Sequence, residues 1–380
     1  MQLNEEQQSL AAAVYDYCAQ HTATVAQRDA LTEGGTQTTS RKVLSDMSAF
    51  GWLGISLPEE HGGQGGTFLD EVVFLEASSR GLSLTHAYST GLTAAQTYLK
   101  WGNHTQKTTI CTNLAAGKLE AISLSEPNTG SDLAGVRCKG VREGDEYVIN
   151  GQKTWCTAAH MAENILLLVR EDLTGTRHEG LTLLMVPAGT PGLDIVAIET
   201  MEPHTVNELF FKDVRVPVSA VVGEPGQGWK QLMRGLSVER LIIAAMSLGA
   251  AQRSLDDTVA YVGEREAFGT KLASFQALRH RIADLATDIS LARSFVYDVA
   301  AKVDAGLEDS LTSESAMAKS RCTDIAQKAA LEGIQMHGGN GFTKEYGMAA
   351  QLRAAIAPPI YGGANEVQRD IIAKTLLGRP

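Results

Sequence analysis

The period of the apolar residues changes twice along this 380-residue chain, and that change constrains the fold more than any single motif. From Asn4, a helix cap with Gln7 three residues on, to about Leu119 the text is helical, interrupted by the loop PEEHGGQGG at 58–66. From Glu120 to Glu224 short apolar runs take over: EYVINGQKTW, NILLLVRE, LTLLMVPAG, LDIVAIE and ELFFKDVRVP. Several alternate, and Gly144-Asp145 and Asn150-Gly151 carry hairpin-turn chemistry. After GEPGQGW at 223–229 the helical period returns, clearest in Phe275, Leu278, Ile282, Leu285, Ile289, Phe295 and Val299, which step by three or four. The expected class is α+β multidomain: a helical domain over 1–119, a β domain over 120–224 and a helical bundle over 225–380.

Composition narrows the function classes. A formal charge of −11 without any Lys/Arg-rich block argues against a nucleic-acid or anionic-membrane surface. The five cysteines are odd in number and lack Cys-x-x-Cys or Cys/His ligand spacing, so neither a disulfide framework nor a metal site is expected. MQLNEEQQSL is acidic where a targeting peptide is basic, and no apolar run approaches the roughly 20 residues of a membrane span. The expectation is a cytoplasmic protein with no membrane span. Gly-x-Gly-x-x-Gly after a strand, the P-loop, His-Glu-x-x-His and Gly-x-Ser-x-Gly are all absent, so a nucleotide would be held by another device.

Five stretches carry candidate chemistry. LSEPNTGSDL at 124–133 offers backbone and hydroxyl donors from Ser125, Thr129 and Ser131; alone it also reads as plain turn chemistry. In NGQKTWCTAA, Trp155 and Thr157 flank Cys156 on a strand and share a face, a flat ring beside a hydroxyl that suits a planar heterocycle, or simply a half-buried tryptophan. Leu232, Leu236, Glu239, Ile243 and Met246 form one helical stripe, which puts the Glu239 carboxylate on an apolar side. Such a carboxylate has a raised pKa and serves as a general base, or else is held by Arg240 or another arginine. QMHGGNGFTKEYG at 335–347 reads as a glycine loop after a helix, with His337 a loop residue, and Arg265 lies four residues before Gly269, a helix-stop signal. In IYGGANEVQR at 360–369, two glycines precede Asn365, which opens a helix with Val367, Ile371, Ile372 and Leu376 on one face.

In order and spacing, PEEHGGQGG, LSEPNTGSDL, NGQKTWCT, REAFG, QMHGGNGF and IYGGANEVQR resemble the acyl-CoA dehydrogenase family over nearly the whole chain. The resemblance implies a helical N-terminal domain, a middle β-barrel or sandwich domain and a C-terminal four-helix bundle. It implies a tetramer built from dimers, with FAD between the middle and C-terminal domains and across a subunit interface. Leu124 and Ser125 match the segment at the flavin's pyrimidine edge, Ser131 a hydroxyl near pyrophosphate and thioester, and Trp155 and Thr157 the residues against the isoalloxazine ring. Arg265, Phe268 and Gln276 resemble the part reaching the adenosine half of a neighbouring subunit's FAD. Gln335, Gly338 and Gly339 resemble the loop receiving that half, and Asn365 and Glu366 begin the helix beside it. Ser131, Arg240 and Tyr361 are the substrate positions implied.

Many members of the family have their catalytic Glu in Tyr-Glu-Gly-Thr, where this chain has Tyr361, Gly362, Gly363 and Ala364. In the long-chain and isovaleryl branches the base lies on the helix reading Glu-Arg-Leu, matched by Glu239-Arg240-Leu241. The resemblance thus implies Glu239 as base, the Gly362 backbone N–H as donor to the thioester oxygen, and electron-transfer flavoprotein as acceptor. Glu366 is a rival carboxylate. Ala364 and Ala354 stand where Thr and Asp are common, which removes one or two hydrogen bonds of about 1 kcal/mol each. Other readings are an acyl-carrier-protein thioester as substrate, an oxidase or enoyl-CoA reductase, and a non-catalytic subunit of a hetero-oligomer.

Overall fold

The computed structural model describes residues 2–171, 176–233 and 235–378. It opens with α1 (Glu5–His21), α2 (Val25–Leu31), α3 (Arg41–Ala49), α4 (Phe68–Arg80), α5 (His86–Trp101) and α6 (His104–Ala115). The cap read from the sequence forms: Asn4 Oδ1 accepts from Gln7 N at 2.8 Å, and Gln7 Oε1 accepts from Asn4 N at 3.1 Å. Strands follow: β1 (Leu119–Ser123), β2 (Lys139–Glu143), β3 (Glu146–Thr157), β4 (Ala162–Arg170), β5 (Leu181–Pro187), β6 (Leu193–Ala197) and β7 (Val206–Pro217). Then come α7 (Gly228–Met233), α8 (Leu236–Glu264), the two-residue strands β8 (Glu266–Ala267) and β9 (Thr270–Lys271), α9 (Gln276–Asp304), α10 (Thr312–His337), α11 (Met348–Ile356) and α12 (Asn365–Leu377). The expected class holds: helical, then a curled sheet, then helical. Among the described residues no helix is long and apolar enough to cross a membrane.

By its contacts the chain gathers into two units. One holds the residues up to Leu31, Thr67–Leu84 and the chain from Ser237 onward; the other holds Thr32–Gly66 and Thr85–Leu236. The second is organised by a seven-stranded sheet, β1-β4-β2-β3-β7-β6 with β5 on β4. β1 runs parallel to β4, and β2–β3, β3–β7, β6–β7 and β4–β5 are antiparallel. A single pairing, Lys139 with Arg170, joins β2 to β4, so the sheet curls there around a core that includes Ile149, Ile165, Leu167, Leu184 and Leu209. β4 reads as a continuous apolar run because it is buried on both faces. Gly144-Asp145 makes the two-residue turn between β2 and β3, as its chemistry predicts. Asn150-Gly151 does not turn the chain: it forms a bulge inside β3, where Asn150 Oδ1 accepts from Asp213 N at 2.9 Å and Gly151 takes φ +146° against Cys138.

In the other unit, α4, α8, α9 and α10 meet around Glu76, which is 4% exposed. Its carboxylate accepts from Arg293 Nε at 2.6 Å and Tyr297 Oη at 2.7 Å, and Arg293 also donates to Gln252 Oε1. The predicted α9 stripe buries Leu285, Ile289 and Val299. α4 and α8 touch backbone to backbone at Gly249, where an added Cβ would overlap the Glu76 carbonyl oxygen and lie 2.8 Å from Arg80 N. Gly249→Ala gains about 1 kcal/mol of helix propensity but loses more to overpacking, typically about 1–3 kcal/mol. The expected result is a lower Tm, read by thermal unfolding; a rise would mean the helices part freely.

Candidate active site

The candidate residues of the sheet unit are set by one buried ion pair. After β1 the chain turns tightly, with Glu126 and Thr129 exchanging backbone hydrogen bonds of 2.9 Å. The Glu126 carboxylate accepts from Arg137 N and Cys138 N at 2.8 Å and from Lys153 Nζ at 2.9 Å. Lys153 is fully buried, and burial pulls its pKa down; it also donates to Leu124 O at 2.8 Å, while Thr154 N donates to Ser125 O at 3.0 Å. These bonds lay Leu124 and Ser125 along β3. Trp155 and Thr157 lie on the open side of buried Cys156 as expected, with a difference. The register slips between Lys153 and Cys156, and Trp155 takes φ +61°, which turns its ring out of the pleat and leaves it 60% exposed. Among the described residues the Ser125, Ser131 and Thr157 hydroxyls and the Trp155 indole N–H have no partner; Ser131 sits exposed on the same loop.

In the helical unit, Glu239, Arg240, Tyr361 and Gly362 come together. The predicted stripe is corrected in part: Leu232 belongs to α7, and the buried face of α8 is Val238, Leu241, Ile242 and Ala245. Leu236, Glu239 and Met246 lie on its half-open side, with Ile243 buried at the edge. The Glu239 carboxylate accepts no hydrogen bond and makes no ion pair among the described residues, so it is not the arginine-held glutamate of the alternative reading. Burial pushes its pKa up against the pull of Arg240 and Lys319. Arg240 is 6% exposed, with one 3.5 Å contact to Ser315 Oγ and Nε unpartnered, and burial lowers its pKa. Burial and the Glu239 charge raise the pKa of Tyr361.

Gly362 and Gly363 both have positive φ, +62° and +79°. An added Cβ at Gly362 would overlap Ile243 Cδ1 and stand 3.7 Å from Glu239 Oε1, so backbone and carboxylate are neighbours, and the positive φ favours glycine there. The Gly362 carbonyl accepts from Gln368 Nε2 at 3.1 Å; the Gly363 carbonyl accepts from Gln368 Nε2 and from Lys319 Nζ, each at 2.9 Å. The Gly362 N–H has no acceptor among the described residues. Asn365 differs from expectation. It is 3% exposed, its amide bonds Thr323 Oγ1, Asp324 Oδ1 and Lys319 Nζ, and its N–H bonds Pro359 O, so it fastens the loop to α10. α12 buries Asn365 and Gln368, whereas Leu376 of the predicted apolar face is 71% exposed. Glu366 is exposed beside Arg369, far more hydrated than Glu239.

Arg265, Gln335, Gly338 and Gly339 line one cleft of about 490 Å³ with Tyr261 and His337. The two glycines have open space where a Cβ would be. His337 is not the loop residue expected: it is the buried last residue of α10, where it bonds Gly333 O through Nδ1 at 2.7 Å and stacks on Tyr261. Gly269 does not stop α8, which ends at Glu264; Phe268 and Gly269, both with positive φ, are the turn between β8 and β9. Phe268 is 95% exposed and packs edge-on to Phe275, next to the exposed Gln276.

A flavin dinucleotide requires a flat neighbour and small donors at its ring, and bare backbone with a cation at its polar half. The exposed Trp155 ring, the unpartnered Ser125 and Thr157 hydroxyls and the glycine cleft beside Arg265 fit it. The helical unit adds a half-buried carboxylate with no partner among the described residues, and such a set suits a flavin-dependent dehydrogenase. Family models agree: those for the acyl-CoA dehydrogenase N-terminal, middle and C-terminal domains match residues 4–118, 121–214 and 226–377. A probable acyl-CoA dehydrogenase of Bacillus subtilis is 37% identical over 99% of both chains. Mitochondrial isovaleryl-CoA dehydrogenase of Bos taurus is 34% identical over 98% of this chain and 88% of that protein. The solved glutaryl-coenzyme A dehydrogenase in its glutaryl-CoA complex superposes with a TM-score of 0.93 at 27% identity, over 100% and 96% of the two chains. The chain belongs to the acyl-CoA dehydrogenase family, whose members are FAD-dependent oxidoreductases acting on acyl-CoA.

Sequence reasoning missed Lys153–Glu126, the contact of Ile243 with Gly362, and Lys319. A signal for the last exists: Ser315, Lys319, Cys322 and Ala326 step along a buried face of α10, an unusual place for a lysine. Glu126→Ala strands the Lys153 charge, at about 3–5 kcal/mol, and frees the 124–125 segment. The expected outcome is a lower Tm and a lower flavin-to-protein absorbance ratio after gel filtration, partly recovered by adding Lys153→Met; an unchanged ratio would contradict this account of the loop.

Proposed function

We propose that Glu239 removes the α-proton of an acyl-CoA thioester while the β-hydrogen departs as hydride, leaving the trans-2-enoyl thioester. The observation that carries this reading is a half-buried carboxylate with no partner, placed beside a backbone N–H that also has none. An α-proton is too weakly acidic for an unaided carboxylate, so negative charge growing on the thioester oxygen must meet a donor already in place. The Gly362 N–H is that donor, and Glu239, its pKa raised by burial, is the base. FAD, when bound, supplies the hydride acceptor at N5. Leu124, Ser125, Trp155 and Thr157 hold its ring end, and Arg265, Phe268, Gln276, Gln335, Gly338 and Gly339 its adenosine half. Ser131, Arg240 and Tyr361 contact the substrate. Glu366 stays outside the chemistry, and Asn365 supports the loop without touching the cofactor.

We further propose electron-transfer flavoprotein as the acceptor and a homotetramer as the working form. The exposed Phe268, Leu376 and Leu377 are the kind of apolar surface a second copy covers. The five unpaired, buried cysteines suit a reducing cytoplasm.

The reading is tested by anaerobic flavin bleaching with straight, branched and ring-bearing acyl-CoAs, beside Glu239→Gln. Bleaching by at least one thioester, lost in the Gln variant with FAD retained, is expected; bleaching that persists would mean another base. No bleaching by any acyl-CoA in the wild type would move the substrate to a carrier-protein thioester or the chain to a silent subunit.

Acidity supplies a second test. The base must be ionised, so the acid limb of kcat/KM lies above the ordinary carboxylate range. A folded-state pKa raised above the unfolded value means that the folded protein binds more protons in that window. Stability therefore rises as pH falls through the raised pKa, and above it the ionised group carries a penalty. Glu239→Gln is expected to raise Tm near neutrality; a lower Tm would contradict the unpaired burial of this carboxylate.

A further inference from the structure

The loop that presents the Gly362 N–H is held from beneath by a buried cation. Lys319, fully buried on α10, donates to the Gly363 carbonyl at 2.9 Å and to Asn365 Oδ1 at 3.0 Å. Asn365 is tied in turn to Thr323 Oγ1 and Asp324 Oδ1 of the same helix. Lys319 thus shares the Gly363 carbonyl with Gln368, which also holds the Gly362 carbonyl, and the Gly362 N–H is left unpartnered among the described residues. Resting on the proposed role of that N–H, we propose that Lys319 is a positioning residue for the reaction: it fixes the Gly362–Gly363 turn so that its N–H meets the thioester oxygen, and its positive charge favours both ionised Glu239 and the negative charge that grows on that oxygen.

A lysine is a costly brace. Burying an ammonium is unfavourable unless something requires its charge, and the neutral Gln368 amide already anchors the Gly363 carbonyl together with that of Gly362. The charges facing Lys319 come from three helices: Glu239 and Arg240 of α8, Asp324 of its own α10 and Glu366 of α12. Glu239, Asp324 and Glu366 favour the ammonium, Arg240 opposes it, and burial opposes it most, which pulls the pKa down to about 8. Lys319 thus titrates within the range where such an enzyme is assayed, and it is charged below that pH.

The FAD-loaded enzyme, with the acyl-CoA that bleaches it best, tests this without relying on one variant. In the wild type, kcat/KM is expected to fall about tenfold on the alkaline side, centred near the Lys319 pKa of about 8. In Lys319→Arg, which cannot lose its proton, that limb should vanish. Lys319→Met should lower kcat about 10- to 100-fold with KM changed less than about threefold. A readout independent of turnover is the infrared carbonyl stretch of bound, carbon-13-labelled 3-methylcrotonyl-CoA. In the Met variant it should move back toward its free-solution frequency. A wild-type profile flat through the alkaline range overturns the proposal even if the Met variant fails to fold. So does a Met variant that keeps kcat and the carbonyl shift and loses only thermal stability. If Glu239→Gln still bleaches while the Lys319 variants behave as expected, the choice of base is wrong and the positioning role stands.

Discussion

The contact on which the functional reading depends is that between α8 and the glycine pair at 362–363. Ile243 fills the space where a side chain at 362 would begin, and Glu239 Oε1 stands 3.7 Å from the same point. That packing has two consequences. A side chain at 362 would require the Ile243 methyl to move aside, and the carboxylate that stands at this point comes from the helix. With no side chain at 362, bare backbone faces the carboxylate, and an unpartnered N–H and an unpartnered carboxylate end up side by side. Left-handed backbone at both glycines completes the geometry, and Lys319 and Gln368 hold it.

Much of the rest reads as support for groups left unsatisfied. Glu126, Lys153, Asn365 and Lys319 are polar side chains with their bonds made, and each lies directly behind a group that has none. Trp155 in a left-handed conformation at a bulge and Arg240 buried with a vacant Nε carry further local cost. Strain and unmet hydrogen bonding of this kind trade stability for function.

The sequence made the periodic part of this legible. The helix–sheet–helix order, the Asn4 cap, the Gly144-Asp145 turn and the α9 stripe all follow from local rules that tertiary contacts leave intact. Asn150-Gly151 reads as a turn yet forms a bulge, because its neighbours on β7 and Cys138 decide what a glycine with positive φ is used for. Gly269 resembles a helix stop yet closes a tiny hairpin, since α8 already ends at Glu264. Glu239 could be placed on one side of a helix, but whether an arginine met it there depended on packing, and none does. Asn365 reads as the residue that opens a helix, and it does; its burial against α10 is a long-range fact that no local pattern contains. Lys319 was visible as a lysine on an apolar stripe, but its partners lie some 45 residues away in the chain.

The central claim is that Glu239 takes the α-proton, and it can be isolated from hydride loss. Phenylacetyl-CoA has α-hydrogens and no hydrogen on its β-carbon that could leave as hydride. In deuterium oxide the FAD-loaded wild-type protein should exchange those α-hydrogens well above the rate in buffer, and Glu239→Gln, equally loaded, should not exceed that background. Equal exchange by both proteins would contradict the account and send the search for the base elsewhere in the chain.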